Sequence, residues 1–94
     1  MTNQKQKVLV VEDDLSILVG LSMNLRFEGF EVLQAQDGEK GLQMAIDAKP
    51  DLLILDIMLP GMNGYEVVKE LRRRGQQVGV VMLSAKSQEH DKIA

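Results

Sequence analysis

The sequence predicts an α/β protein, a doubly wound layer sandwich of parallel strands in the order 2-1-3-4. Three observations carry this. Short apolar or alternating runs of strand length take turns with segments whose apolar residues recur like one face of a helix. The joins between them are short, and strand–helix–strand units so joined give parallel strands with right-handed crossovers. The first, third and fourth runs are apolar nearly throughout, as in strands covered on both faces, whereas the second alternates and reads as an edge.

Taken in order, Lys7 to Val11 (KVLVV) is the first strand. Asp13-Asp14 starts a helix in which Leu15, Leu18, Leu21, Ser22 and Leu25 form one face, with Gly29 just past its end. Phe30 to Ala35 is the second strand, and Asp37-Gly38 turns the chain. Leu42, Ala45, Ile46 and Lys49 mark a second helix, closed by Pro50. Asp51 to Asp56 is the third strand. Asn63-Gly64 opens a third helix carrying Val67, Val68 and Leu71, and Gly75 ends it. Val78 to Leu83 is the fourth strand, Ser84 to Ser87 a loop, and Gln88 onward the start of a fourth helix. No internal repeat, linker or low-complexity stretch interrupts a single domain over residues 1–94.

Composition narrows the function classes. Aromatic residues make up only 3%, so aliphatic side chains and six methionines must fill the core. There is no cysteine, which removes disulfides and thiolate metal sites and fits a reducing compartment. The polar start MTNQKQK has no apolar signal-peptide core, and no apolar run approaches the roughly 18 residues of a membrane span. A net charge of −3 does not suggest a nucleic-acid-binding surface. The one basic cluster, Arg72-Arg73-Arg74, falls at a helix end, where it complements the helix dipole.

The acids fall where such a fold binds ligands. In doubly wound sheets the site lies beyond the carboxyl ends of the strands, where the strand order reverses. Strands one and three flank that point. Strand one ends in Glu12-Asp13-Asp14, strand three in Asp56, and strand four in Ser84. A single Asp after a strand is usually structural, and Asp14 is read as the cap of the first helix. Ser84 alone would be a turn residue. Acids at two strand ends with a hydroxyl at a third are harder to dismiss. Crowded carboxylates repel and raise one another's pKa, and a divalent cation relieves this. Hard oxygen ligands suit Mg²⁺. Pro60-Gly61 then bends the chain clear of the mouth.

Three stretches carry a family resemblance: VVEDD after strand one, LDIMLPGMNG at the end of strand three and MLSAK after strand four. They resemble response-regulator receiver domains of two-component signalling, over residues 7 to 94. The resemblance implies a flavodoxin-like (CheY-like) fold and a cytoplasmic phosphoacceptor switch, not an enzyme. Asp56 would take a phosphoryl group from a phosphohistidine on a sensor histidine kinase. Glu12, Asp13, Asp56 and the backbone carbonyl of Met58 would hold Mg²⁺, and Ser84 would be the switch hydroxyl that meets the phosphoryl group. Met58 and Lys86 would flank that group and influence its lifetime. The DIMLPG wording is most similar to the OmpR/PhoB-like subfamily, which implies a transcriptional, DNA-binding output domain absent from this chain.

The sequence also departs from the family. A complete receiver continues through a fifth strand and fifth helix, and the family's lysine after strand five has no counterpart before Ala94. Lys86 follows Ser84 too closely to replace it. The expectation is a receiver incomplete at its C-terminus. Its strand four would then be an open apolar edge that invites self-association.

Three rival readings remain in view. A Mg²⁺-dependent phosphatase forming an aspartyl phosphate would need a second acid two residues after Asp56, where Met58 stands. A flavin or nucleotide binder would need a neutral, donor-rich loop after strand one rather than Glu12-Asp13-Asp14. A non-phosphorylated receiver-like dimerisation module, or an inactive fragment, would not need the acids at all.

Overall fold

The computed structural model describes residues 5–83. Its elements are β1 (Lys7–Val11), α1 (Leu15–Phe27), β2 (Glu31–Ala35), α2 (Gly38–Ala48), β3 (Leu52–Asp56), α3 (Gly64–Arg73) and β4 (Gly79–Leu83). All strand pairs are parallel, and the order is β2-β1-β3-β4, as the sequence predicts. The expected loop from Ser84 and the helix from Gln88 lie outside the described residues. Among the described residues no helix is long and apolar enough to cross a membrane.

Strand alternation sorts the core into two layers. Leu9, Val11, Leu53 and Leu55 face α2 and α3 and pack with Ala45, Val67 and Leu71. Val8, Val10 and Ile54 face α1 and pack with Leu18. One buried hydroxyl lies beside the second layer, bonded to an exposed amide. Ser22 on α1 is fully buried, and its hydroxyl accepts a 2.8 Å hydrogen bond from the Gln34 amide on β2.

Each helix is started and stopped by short-range chemistry. Asp14, Asp37 and Asn63 cap the three N-termini, each side chain accepting a backbone N–H three residues on. Asn63 and Glu66 complete a capping box. The ends of α1 and α3 share one closing pattern. Phe30 N–H donates to the Leu25 carbonyl and Gly29 N–H to that of Arg26, and Gln76 and Gly75 do the same to Leu71 and Arg72. Gly29 and Gly75 supply the positive φ this turn requires.

The differences from the sequence reading each have an identifiable cause. Three strands begin one residue late, at Glu31, Leu52 and Gly79. Phe30 spends its N–H on closing α1, and Asp51 binds the start of β1 at both its N–H and its carboxylate. Leu15, expected on the inward face, is 60% exposed. Leu18 is the first residue of α1 that is buried against the sheet. Lys49 is not part of α2's face but its left-handed cap, at φ 50°. Strand β4 is apolar like β1 and β3 yet only half-buried, because among the described residues it has one neighbouring strand. The arginine cluster serves its own helix end. Arg73 and Arg74 bind Glu70, and Arg72 donates to the Gln76 carbonyl.

A left-handed conformation costs a residue with a side chain roughly 1–2 kcal/mol, and Lys49 also precedes a proline, where it is unfavourable. Lys49→Gly should therefore raise stability by about 0.5–1 kcal/mol, despite glycine's greater freedom in the unfolded chain. Urea unfolding midpoints of the two proteins check this.

Candidate functional site

The parallel register assembles the site. Val11 on β1 pairs with Leu55 on β3, so the residues that follow, Glu12 and Asp56, stand level at the carboxyl edge. The Glu12 N–H still pairs with β2, donating to the Ala35 carbonyl at 3.0 Å. Both acids share the alternation parity of Val10 and Ile54, and so belong to one side of the sheet. Both are buried, at 3% and 8% exposure, while Asp13 is exposed. Carboxylate oxygens of Glu12, Asp13 and Asp56 lie within 4.8 Å of one another.

Neighbouring backbone holds these carboxylates in place. Asp14 N–H donates to Glu12 Oε2 at 2.9 Å, and Met58 N–H donates to Asp56 Oδ1 at 3.2 Å. Asp14 thus does two jobs, since its own carboxylate caps α1 through Ile17 N–H. The loop from Ile57 to Asn63 is fastened close by. Gly64 N–H donates to the Ile57 carbonyl at 2.9 Å and Met62 N–H to that of Pro60 at 3.0 Å. Gly61 turns the loop with φ 76°.

The electrostatics are those of acids held together against their preference. Burial pushes the Glu12 carboxyl up from 4.5 to about 7. The Asp14 N–H opposes this, while the Asp56 and Asp13 carboxylates add to it. A group that keeps its proton near neutrality among anions is one that a cation would ionise. Three hard oxygen donors from one compact cluster fit a small dication better than a softer metal.

The structure therefore brings Glu12, Asp13 and Asp56 together. Met58 joins them through its backbone, and its side chain is 54% exposed at the mouth. Ser84 and Lys86 lie outside the described residues. The residue before Ser84 does reach the site, for Leu83 pairs with Asp56 and its carbonyl accepts the Ile57 N–H at 2.9 Å. The sequence reading missed the second role of Asp14, and it missed close contacts at Gly64 and Gly38. A side chain at Gly64 would stand 2.7 Å from the Asp56 carbonyl oxygen.

Comparison with known proteins places this geometry. The profile of the family described as the response regulator receiver domain matches residues 8–94. The chain belongs to that family. The alkaline phosphatase synthesis transcriptional regulatory protein PhoP of Bacillus subtilis is 46% identical over 88 residues, covering 94% of this chain and 37% of that protein. The transcriptional regulatory protein PrrA of Mycobacterium tuberculosis is 43% identical over the same length, covering 94% of this chain and 38% of its own. Both are transcriptional regulators by name, in accord with the OmpR/PhoB-like wording, and this receiver spans well under half of either. Among solved structures, the receiver domain of the Francisella response regulator 1452 superimposes with a TM-score of 0.84 at 29% identity, covering 95% of this chain and 74% of that one. The Vibrio cholerae chemotaxis response regulator CheY4 gives 0.81 at 32%, covering 94% and 78%.

The raised Glu12 carboxyl has a measurable consequence. Folded Glu12 keeps its proton up to about 7, whereas the unfolded carboxyl loses it near 4.5. Between those values the folded state binds more protons, so stability must fall as pH rises. Metal-free protein should lose on the order of 2 kcal/mol across that window, and Glu12→Gln should flatten the slope. Urea unfolding at a series of pH values without metal checks it.

Proposed function

We propose that this receiver is a phosphorylation-dependent switch, in which Asp56 accepts a phosphoryl group from a phosphohistidine on a sensor histidine kinase. The observation that carries the reading is the meeting of Glu12, Asp13 and Asp56 at the point where the strand order reverses. Membership of the receiver family supports it. On this reading residues 1–94 are one receiver domain and the chain is an acceptor, not an enzyme. It acts in the cytoplasm and relays its state to an output domain or partner. The names of PhoP and PrrA support a transcriptional, DNA-binding output.

The chain's own residues divide the work. Met58 N–H on Oδ1 orients the Asp56 carboxylate, and Oδ2 is then the attacking oxygen. A carboxylate is a competent phosphoryl acceptor, and the transfer depends on positioning and charge neutralisation. Glu12, Asp13, Asp56 and the Met58 carbonyl are the residues that would hold Mg²⁺. Held there, Mg²⁺ would supply charge neutralisation for the crowded carboxylates and for an incoming phosphoryl group. Ser84, one residue past the partner of Asp56, would donate its hydroxyl to the phosphoryl group. Met58 and Lys86, each two residues beyond Asp56 and Ser84, would govern access of water to it.

A second reading, a non-phosphorylated module that pairs through β4, is favoured by that strand's exposure, with Val81 at 45%. One experiment separates the two. With acetyl phosphate and Mg²⁺, the intact mass should rise by one phosphoryl group, and Asp56→Asn should abolish the gain. Asp13→Ala should abolish Mg²⁺ binding in a calorimetric titration. Wild-type protein that gains no mass under these conditions would overturn the switch in favour of the pairing module.

A further inference from the structure

Helix α2 gives no side chain to the site, yet it touches the loop that does. Gly38, its first residue, is buried against the backbone of Met62. A Cβ on Gly38 would overlap the Met62 carbonyl oxygen and stand 2.8 Å from its carbonyl carbon and 2.9 Å from its Cβ. Gly38 is not among the glycines with positive φ. Its conformation is open to any residue, and what excludes a side chain is space alone. The obstacle is mostly main chain, which cannot swing aside as a side-chain tip can.

Either α2 or the loop would have to move, and α2 is the better anchored. Its Asp37 cap binds Lys40 N–H at 2.7 Å. One turn on, Gly41 lies on Val11, so closely that a Cβ there would stand 2.7 Å from Val11 Cγ2. Ala45, the next residue on that face, is fully buried in the core. The loop is held at its far end by Gly64 on the Asp56 and Ile57 backbone. Its near end carries the Met58 peptide, whose N–H orients Asp56. A push on Met62 therefore travels along a short tethered cord towards Met58. The spacing of Glu12 and Asp56 is set separately, by the β1–β3 register.

We infer that Gly38 is a positioning residue for the acidic site: by leaving room for the Met62 carbonyl, it seats the Ile57–Asn63 loop so that the Met58 peptide meets Asp56. This rests on the reading of Glu12, Asp13, Asp56 and Met58 as the metal site. It assigns to α2 a part in the site that no carboxylate reveals.

The test compares Gly38→Ala with Leu71→Val, a core change at the opposite end of α3. Leu71→Val lowers stability while leaving Gly38 and the loop's own residues unchanged. Magnesium chloride titrations should show roughly tenfold weaker affinity for Gly38→Ala and wild-type affinity for Leu71→Val. Metal-free amide spectra should show the largest shifts of Gly38→Ala at Met58 to Gly64, not along α2. Met62→Gly, which loosens the loop while leaving α2 intact, should weaken Mg²⁺ binding in the same way and covers the case of a Gly38 variant that does not fold. Metal affinity unchanged in Gly38→Ala or Met62→Gly, or an affinity that simply tracks stability in all three variants, would overturn the inference. Wild-type protein that binds no Mg²⁺ would instead overturn the metal reading. The metal-free spectra would still decide the loop's dependence on Gly38.

Discussion

The site depends on a backbone fact, the register between two central strands. Pairing Val11 with Leu55 brings one buried acid from each chain segment to the same height. A slip of one residue would turn one of them to the other face of the sheet. The register is secured by what lies beneath it. Leu9, Val11, Leu53 and Leu55 are all fully buried against α2 and α3, and moving them would empty the larger core layer. The packing of apolar side chains thus imposes a cost that the acids would not accept in water, and Glu12 reports that cost by holding on to its proton.

Much of this was legible in the sequence because it rests on short-range signals. The caps Asp14, Asp37 and Asn63 and the stops Gly29 and Gly75 are local, so the helix limits came out nearly right. The apolar runs of β1 and β3 gave the strand order, and the order located the acids. What escaped depends on distant partners. Leu15 fits its helix periodicity but is left exposed, and burial on that face begins at Leu18. Lys49 is the exception: it fits the helix periodicity, but Pro50 disfavours a helical conformation in the residue before it, and Lys49 takes the left-handed cap instead. Gly38 read as a turn glycine. Its contact with Met62 exists only once α2 and the β3–α3 loop are folded together.

The division of labour between backbone and side chain is uneven. Side chains supply the charge, but peptide N–H groups aim it, from Asp14 onto Glu12 and from Met58 onto Asp56. Such donors cannot rotate away or titrate, which makes them dependable orienting groups for anions. It also explains why an exposed methionine can sit in this position: its peptide, not its thioether, does the orienting.

The scaffold is graded in stiffness from one side of the site to the other. Glu12 rises from a strand with a partner on each side, and Asp56 from the strand beside it, while β4 is only half-covered. Among the described residues β4 has a single neighbouring strand, so its backbone amides should exchange with solvent through shallower local openings than those of β1. The wall that delivers the acids is thus the firm one, and the wall meeting Asp56 through Leu83 is the compliant one. Under the proposed switch, a charge added to Asp56 would meet one part that stays put and another that yields.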